Sequence, residues 1–170
     1  GYRNLMKLAS YAHHEGFYYK PRIDLDLLKR YHKGLIALSG CMGSAVSQEI
    51  LNNNYEGAVE WAERFRNIFG EDNYYLELQR NYVDGQEEAF QGHVKISEQL
   101  DIPCVATNDI HYLTREHAEA HDAFLCIGHG KLVKDQNRHS YETDEFYFRS
   151  KEEMKEIFSD QPDAVDITAE

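Results

Sequence analysis

Asp109 and His111 stand two residues apart in the stretch VATNDIHYL, residues 105–113. A carboxylate and an imidazole are both ligands for borderline divalent cations such as zinc or manganese. Residues i and i+2 of a strand share a face. If residues 102–113 form a strand, Val105, Thr107, Asp109 and His111 line one face that begins apolar and ends ionisable. Ligands gather at the carboxyl ends of strands in parallel α/β folds. Cys41 follows a second short apolar run, GLIALSG, and its thiolate would be a strong ligand for the same cations. In a parallel sheet it falls at the same end as Asp109 and His111. Glu77 and Gln79 in YYLELQR form a further i, i+2 pair, with Leu76 and Leu78 facing the other way. A buried carboxylate there needs a partner. Glu77 and Gln79 could therefore support a metal ligand by hydrogen bonding, or simply bond backbone or water.

Other histidines read as decoys. HAEAH sets His117 and His121 four apart, but Glu119 occupies the middle position, whereas a zincin glutamate directly follows the first His. His129 lies between glycines in GHGK, which lacks the spacing of a P-loop. His13 and His14 suit the carboxyl end of a helix. Met6, Met42 and Met154 read as core fillers. Cys104 and Cys126 read as inert residues within a strand and a helix. Spacing alone supports no Ser-His-Asp arrangement.

The elements that must position these side chains alternate along the chain. Residues 3–16 carry Leu5, Leu8, Ala9 and Ala12 on one helical face and stop at Gly16. Residues 33–40 read as a buried strand and 44–54 as a short helix. Tyr55, Ala58, Val59, Ala62, Phe65 and Phe69 form the clearest helical stripe, with Asn54 able to cap it and Gly70 ending it. A strand follows at 73–80. The next helix carries Ala89, Phe90, Val94, Ile96 and Leu100, and residues 102–113 form the third strand. A helix from 115 breaks at Gly128, and EFYFRS reads as a short strand. Ser150 and Glu153 form a capping box for the helix of residues 150–158. Strand and helix in alternation predict an α/β fold with a mostly parallel sheet covered by helices, and apolar strands predict cover on both faces.

The chain has 170 residues, with 30 acidic and 18 basic, for a net charge of −12. That balance opposes nonspecific nucleic-acid binding, which rests on Lys and Arg neutralising phosphates. No apolar run approaches the roughly 20 residues of a membrane helix, and no signal peptide is visible at the start. Three widely spaced cysteines form no disulfide framework, which fits a reducing cytoplasm.

The segments NLMKLASYAHHEGFYYKPRID, GLIALSGCMG, YYLELQR, VATNDIHYL, AEAHDAFLCIGHGK and FYFRSKEEM together resemble the PHP (polymerase and histidinol phosphatase) domain of bacterial replicative DNA polymerase III alpha subunits. The resemblance runs across nearly the whole chain. It implies part of a distorted barrel of about seven βα units, a (β/α)7 PHP barrel, with metals at the carboxyl ends of its strands. Residues 1–160 would be the carboxyl-terminal part of a PHP domain and 161–170 the start of a link to a polymerase core. It maps metal ligands onto Cys41, Asp109 and His111, with a divalent metal (zinc, manganese or magnesium) as cofactor and 3′–5′ exonuclease or phosphoesterase chemistry in an intact parent. It implies the rest of the alpha subunit and a proofreading exonuclease subunit as partners, DNA only through the parent, and no membrane. The family's initial His-x-His is absent from this sequence, so metal should bind through an incomplete set. A docking and stability module without catalysis is the alternative, and a freestanding PHP phosphatase the third.

Overall fold

The computed structural model describes residues 1–169. Helix α1 (Tyr2–His14) packs on α2 (Leu25–Tyr31). The α2 helix escaped the periodicity reading because LDLLKRY is only two turns long. Asp24 caps it, accepting from the Leu27 N–H at 2.7 Å. The apolar face expected of α1 is half-covered: Leu8 and Ala12 are buried, while Leu5 and Met6 lie open to solvent.

Three strands, β1 (Ala37–Leu38), β2 (Tyr74–Gln79) and β3 (Cys104–Thr107), form a parallel sheet in the order β1-β2-β3. The chain is thus an α/β fold with a partial barrel. The register pairs Leu76 with Cys104 and Gln79 with Thr107. The strands are shorter than the sequence implies. Residues 33–40 give only a two-residue strand, and Ile36 and Leu38 are exposed. Residues 145–150 give a single parallel bridge, Tyr112 to Tyr147. Nor are the strands covered equally on both faces. Along β2, Tyr74, Leu76 and Leu78 are buried, and Tyr75, Glu77 and Gln79 alternate with them on a half-open face.

Two helices, α3 (Ala45–Leu51) and α4 (Tyr55–Phe69), and a third, α5 (Gln86–Leu100), cover the closed face. Val46, Ile50, Ala58, Ala62, Tyr74, Leu76, Ile96 and Ile102 form its core. Asn54 caps α4 as the sequence implies, accepting from Gly57 N–H at 3.2 Å. Close helix approach needs Gly92, where an added Cβ would sit 2.6 Å from Ile50 Cδ1.

Helix α6 (Ala118–His129) runs through Gly128 and stops at Gly130, which takes the left-handed conformation (φ 63°) that glycine tolerates. Helix α7 (Lys151–Ile157) has the expected capping box of Ser150 and Glu153. Pro162–Asp166 form α8, whose Ala164 and Val165 are buried with Leu78, Phe90, Ala106 and Phe158 in a second core cluster. Residues assigned in sequence to a link thus contribute to the packing beneath β3.

Candidate metal centre at the strand-end rim

All three strands point their carboxyl ends to one rim. Gly40, at φ 88°, turns the chain out of β1, and an added Cβ would press Ser44 at 3.3 Å. The turn delivers Cys41 with its side chain exposed rather than packed in hydrocarbon. Cys41 shares a small crevice with Glu77, Gln79 and His93.

Glu77 finds its partners inside the sheet: its Oε1 accepts from Thr107 Oγ1 at 2.5 Å and from Gln79 Nε2 at 3.0 Å. The backbone N–H of Glu77 donates to Ser39 Oγ at 2.8 Å. This ladder joins the ends of β1, β2 and β3. On α5, His93 is buried beneath it, with Nδ1 3.0 Å from the Glu77 carbonyl and Nε2 3.4 Å from Ser47 Oγ. Burial pulls its pKa down to about 4 against the opposing pull of the Glu77 carbonyl, so the ring is neutral at pH 7.

Asp109 and His111 meet, but not by strand alternation. The strand ends at Thr107, and Asp109 turns the chain with φ at 49°. The left-handed region costs about 1 kcal/mol or more for a non-glycine residue, and such strain clusters at functional positions. The turn brings His111 Nε2 to 3.4 Å from Asp109 Oδ1. On the other side of the ring, Nδ1 lies 3.5 Å from the Tyr141 hydroxyl.

A buried polar clamp holds this turn. Asn108 Nδ2 donates to the Tyr147 carbonyl at 2.6 Å, and Arg149 Nη1 donates to Asn108 Oδ1 at 2.6 Å. Asn81, fully buried, donates to the carbonyls of Asn108 and Glu145 at 2.9 and 3.0 Å. The Gln86 amide donates to Asn81 Oδ1, and Thr143 Oγ1 donates to the Asn81 carbonyl. Arg149 also donates to Glu145 at 2.7 Å, and Arg115 bonds the same carboxylate. Burial alone would raise the Glu145 pKa, but these arginines hold it below the usual carboxylate range.

An aromatic shell closes the rim. His111 packs against Tyr141, Phe146 and His121, with ring centroids 4.9, 5.0 and 5.5 Å away. Burial first, then negative charge at Asp109 and Cys41, raises the Tyr141 phenol. Burial and then His111 lower the His121 imidazole. The decoy pair therefore divides: His117 precedes α6, and His121 reaches the rim. Tyr141, His93, Asn81 and Arg149 carried no spacing signal, because their partners are remote in sequence, and the spacing that marks His121 points to the wrong partner, His117.

In a tetrahedral zinc site with ligand bonds of about 2.0–2.1 Å, neighbouring donors lie about 3.4 Å apart. The Asp109–His111 separation fits that edge. Among the described residues no third His, Cys, Asp or Glu completes a ligand cluster. Cys41 stands on the same rim without joining the pair.

The PHP domain family matches residues 1–81. Over 99% of its length the chain is similar to DNA polymerase III subunit alpha of Borreliella burgdorferi, at 46% identity. The same subunit of Treponema pallidum is 42% identical over 97% of the chain, and that of Campylobacter jejuni 37% identical over all of it. The chain spans only 15%, 14% and 15% of these relatives. A parallel α/β rim, a PHP match and relatives that all bear one subunit name lead to one conclusion: the chain belongs to the DNA polymerase III alpha family, as part of its PHP domain.

Proposed function

We propose that the rim holds a divalent cation through Asp109 and His111 and serves phosphodiester hydrolysis in the parent alpha subunit. The observation that carries this reading is the 3.4 Å approach of a carboxylate oxygen and an imidazole nitrogen at a strained turn. Cys41, exposed on the same rim, is the further donor. The imidazole and thiol favour zinc or manganese over magnesium. When bound, such an ion polarises a phosphate oxygen and lowers the pKa of a bound water. The chain's own residues orient the donors: Tyr141 and Phe146 fix the His111 ring, and the Asn81–Asn108–Arg149 clamp fixes the turn. Glu77 and Gln79 bond Thr107 and each other, supporting the rim one layer below the donors.

DNA polymerisation belongs in this reading to the parent and not to this segment. The partners are the remaining alpha subunit and a proofreading exonuclease subunit, DNA is reached through the parent, and the compartment is the cytoplasm. Among the described residues no helix is long and apolar enough to cross a membrane. A second reading, a docking module without catalysis, is favoured by the two-donor set and by Phe124, Ile127, Leu132 and Val133, which stand exposed on and after α6. A freestanding phosphatase explains the donors equally well but not relatives named as polymerase subunits.

Metal analysis after dialysis against zinc or manganese tests the first reading. Stoichiometric metal in the native chain, lost in Asp109→Ala and in His111→Ala, supports it. Undiminished metal in both variants removes these residues from the site and leaves the docking module.

A further inference from the structure

The net charge of −12 hides an asymmetry. Residues 1–33 hold seven Lys and Arg against three Asp and Glu, a local net of +4, so the rest of the chain carries −16. This basic segment is also rich in exposed aromatic rings: Tyr2, Phe17, Tyr18 and Tyr19 all face solvent.

Two adjoining grooves run through this segment. Along α1, a groove of roughly 600 Å³ is lined by Arg3, Met6, Lys7, Tyr11 and His14. An adjoining groove of roughly 360 Å³ shares Tyr11 and continues past Arg22 to Arg30. The acidic groups facing this surface are Glu15, Asp24 and Asp26. Asp24 is occupied in capping α2, and Asp26 pairs with Lys29 at 3.3 Å. Two cations sit beside rings: Lys7 Nζ lies 5.1 Å from the Tyr31 centroid and the Arg22 guanidinium 4.9 Å from that of Tyr18, while the His13 ring stacks on Phe17.

The turn after α1 adds a second, independent observation. Tyr19 is 84% exposed and holds φ at 60°. A bulky residue in the left-handed region is strained, and here the strain presents a bare phenol ring to solvent. Tyr18 braces it edge-on at 4.6 Å between centroids, and Arg22 donates to the Tyr18 carbonyl at 2.9 Å. The turn leads into Ile23–Asp26, which line one depression with Ala45 at the start of α3 and with Trp61 and Phe65 of α4.

Cations spaced along a groove, with solvent-exposed rings beside them, are the features that hold a phosphate backbone while bases stack. We propose that the α1 groove and the Phe17–Arg22 turn bind single-stranded nucleic acid, with Arg3, Lys7, Arg22 and Arg30 facing phosphates and Tyr19 stacking on a base. The site does not depend on the metal reading, and it adds a direct nucleic-acid contact in this segment to the contacts that reading assigns to the parent.

Fluorescence anisotropy of the full chain with a labelled twelve-nucleotide oligo(dT), between 50 and 200 mM salt, tests this. Saturable binding is expected, with log K falling against log salt at a slope of about −3 for four phosphate contacts. Lys7→Glu and Arg22→Glu each weaken binding at least about tenfold. Tyr19→Ala weakens it about tenfold, and Tyr19→Phe retains it. Lys155→Glu, on α7, leaves it unchanged. Circular dichroism confirms that each variant folds, and Arg22→Gln and Tyr19→Leu serve where a harsher change unfolds the turn. Absence of saturable binding overturns the proposal. So does binding indifferent to Lys7 and Arg22, or association with phosphatidylserine vesicles but not with the oligonucleotide. Metal uptake is unaffected by all of these variants, so failure here is distinct from failure of the rim reading.

Discussion

The layer under β1 and β2 and the clamp behind β3 are built from opposite materials. Under β2, Val46, Ile50, Leu76, Ile96 and Ile102 meet as hydrocarbon. Their attraction is non-directional and scales with the area removed from water. Behind β3, Asn81, Asn108 and Arg149 are just as buried but meet as donors and acceptors. Each such bond has one geometry, and each unpaired buried group costs about 1–3 kcal/mol. The first material holds helices on a sheet with some freedom of exchange. The second fixes a strained turn, with Asp109 and His111 at its apex, to within a rotamer.

That difference predicts unequal tolerance. Asn81→Leu, close in volume, strands the carbonyls of Asn108 and Glu145 and the Gln86 amide, and should cost about 4 kcal/mol. Leu76→Met, a comparable change of shape in the apolar layer, should cost less than about 1.5 kcal/mol. Urea unfolding of the two variants side by side measures the contrast, and equal losses would erase it.

Much of the apolar layer is legible in sequence because it repeats. The α4 stripe, the Asn54 cap, the Ser150–Glu153 box and the alternation of β2 all follow from local spacing. Asp109, His111 and Cys41 can be singled out by residue type and by their place after strands. How Asp109 and His111 approach was not legible. Alternation predicts a shared strand face, whereas the strand stops two residues before Asp109 and a left-handed turn does the work. That turn exists because Asn108 is captured by Tyr147 and Arg149, about forty residues away. The short strand expected at 145–150 is cut to one bridge for a related reason: Phe146 and Phe148 pair with residues 111–113, but the carbonyls of Glu145 and Tyr147 bond the clamp.

His93 lies where the two materials join, and it sharpens the comparison through pH. Burial lowers its folded pKa from 6.5 to about 4. Between those values the unfolded chain binds a proton that the folded chain refuses. Stability should therefore fall as pH drops from 6.5 toward 4, by up to about 1.4 kcal/mol per pH unit and about 3 kcal/mol in all. His93→Gln should flatten that slope while leaving carboxylate titrations in place, as read from urea midpoints across pH 4–7.

The smallest effect separates strain from purpose. Asp109→Gly relieves the positive φ and removes a half-exposed carboxylate–imidazole contact worth little. The variant should gain about 0.5 kcal/mol in thermal unfolding while losing the metal uptake expected of the native chain. A variant that is both less stable and metal-competent would show that the turn serves packing instead.

The sequence by itself determined most of the longer helices, the parallel α/β class and the family, because periodicity, caps and motif segments are local properties of the chain. Only the tertiary structure decided which side chains meet at the rim. It drew His121, Tyr141 and Arg149 from remote positions and bent β3 early. Hydrogen bonds and ring contacts depend on distances that close only when the whole chain has folded.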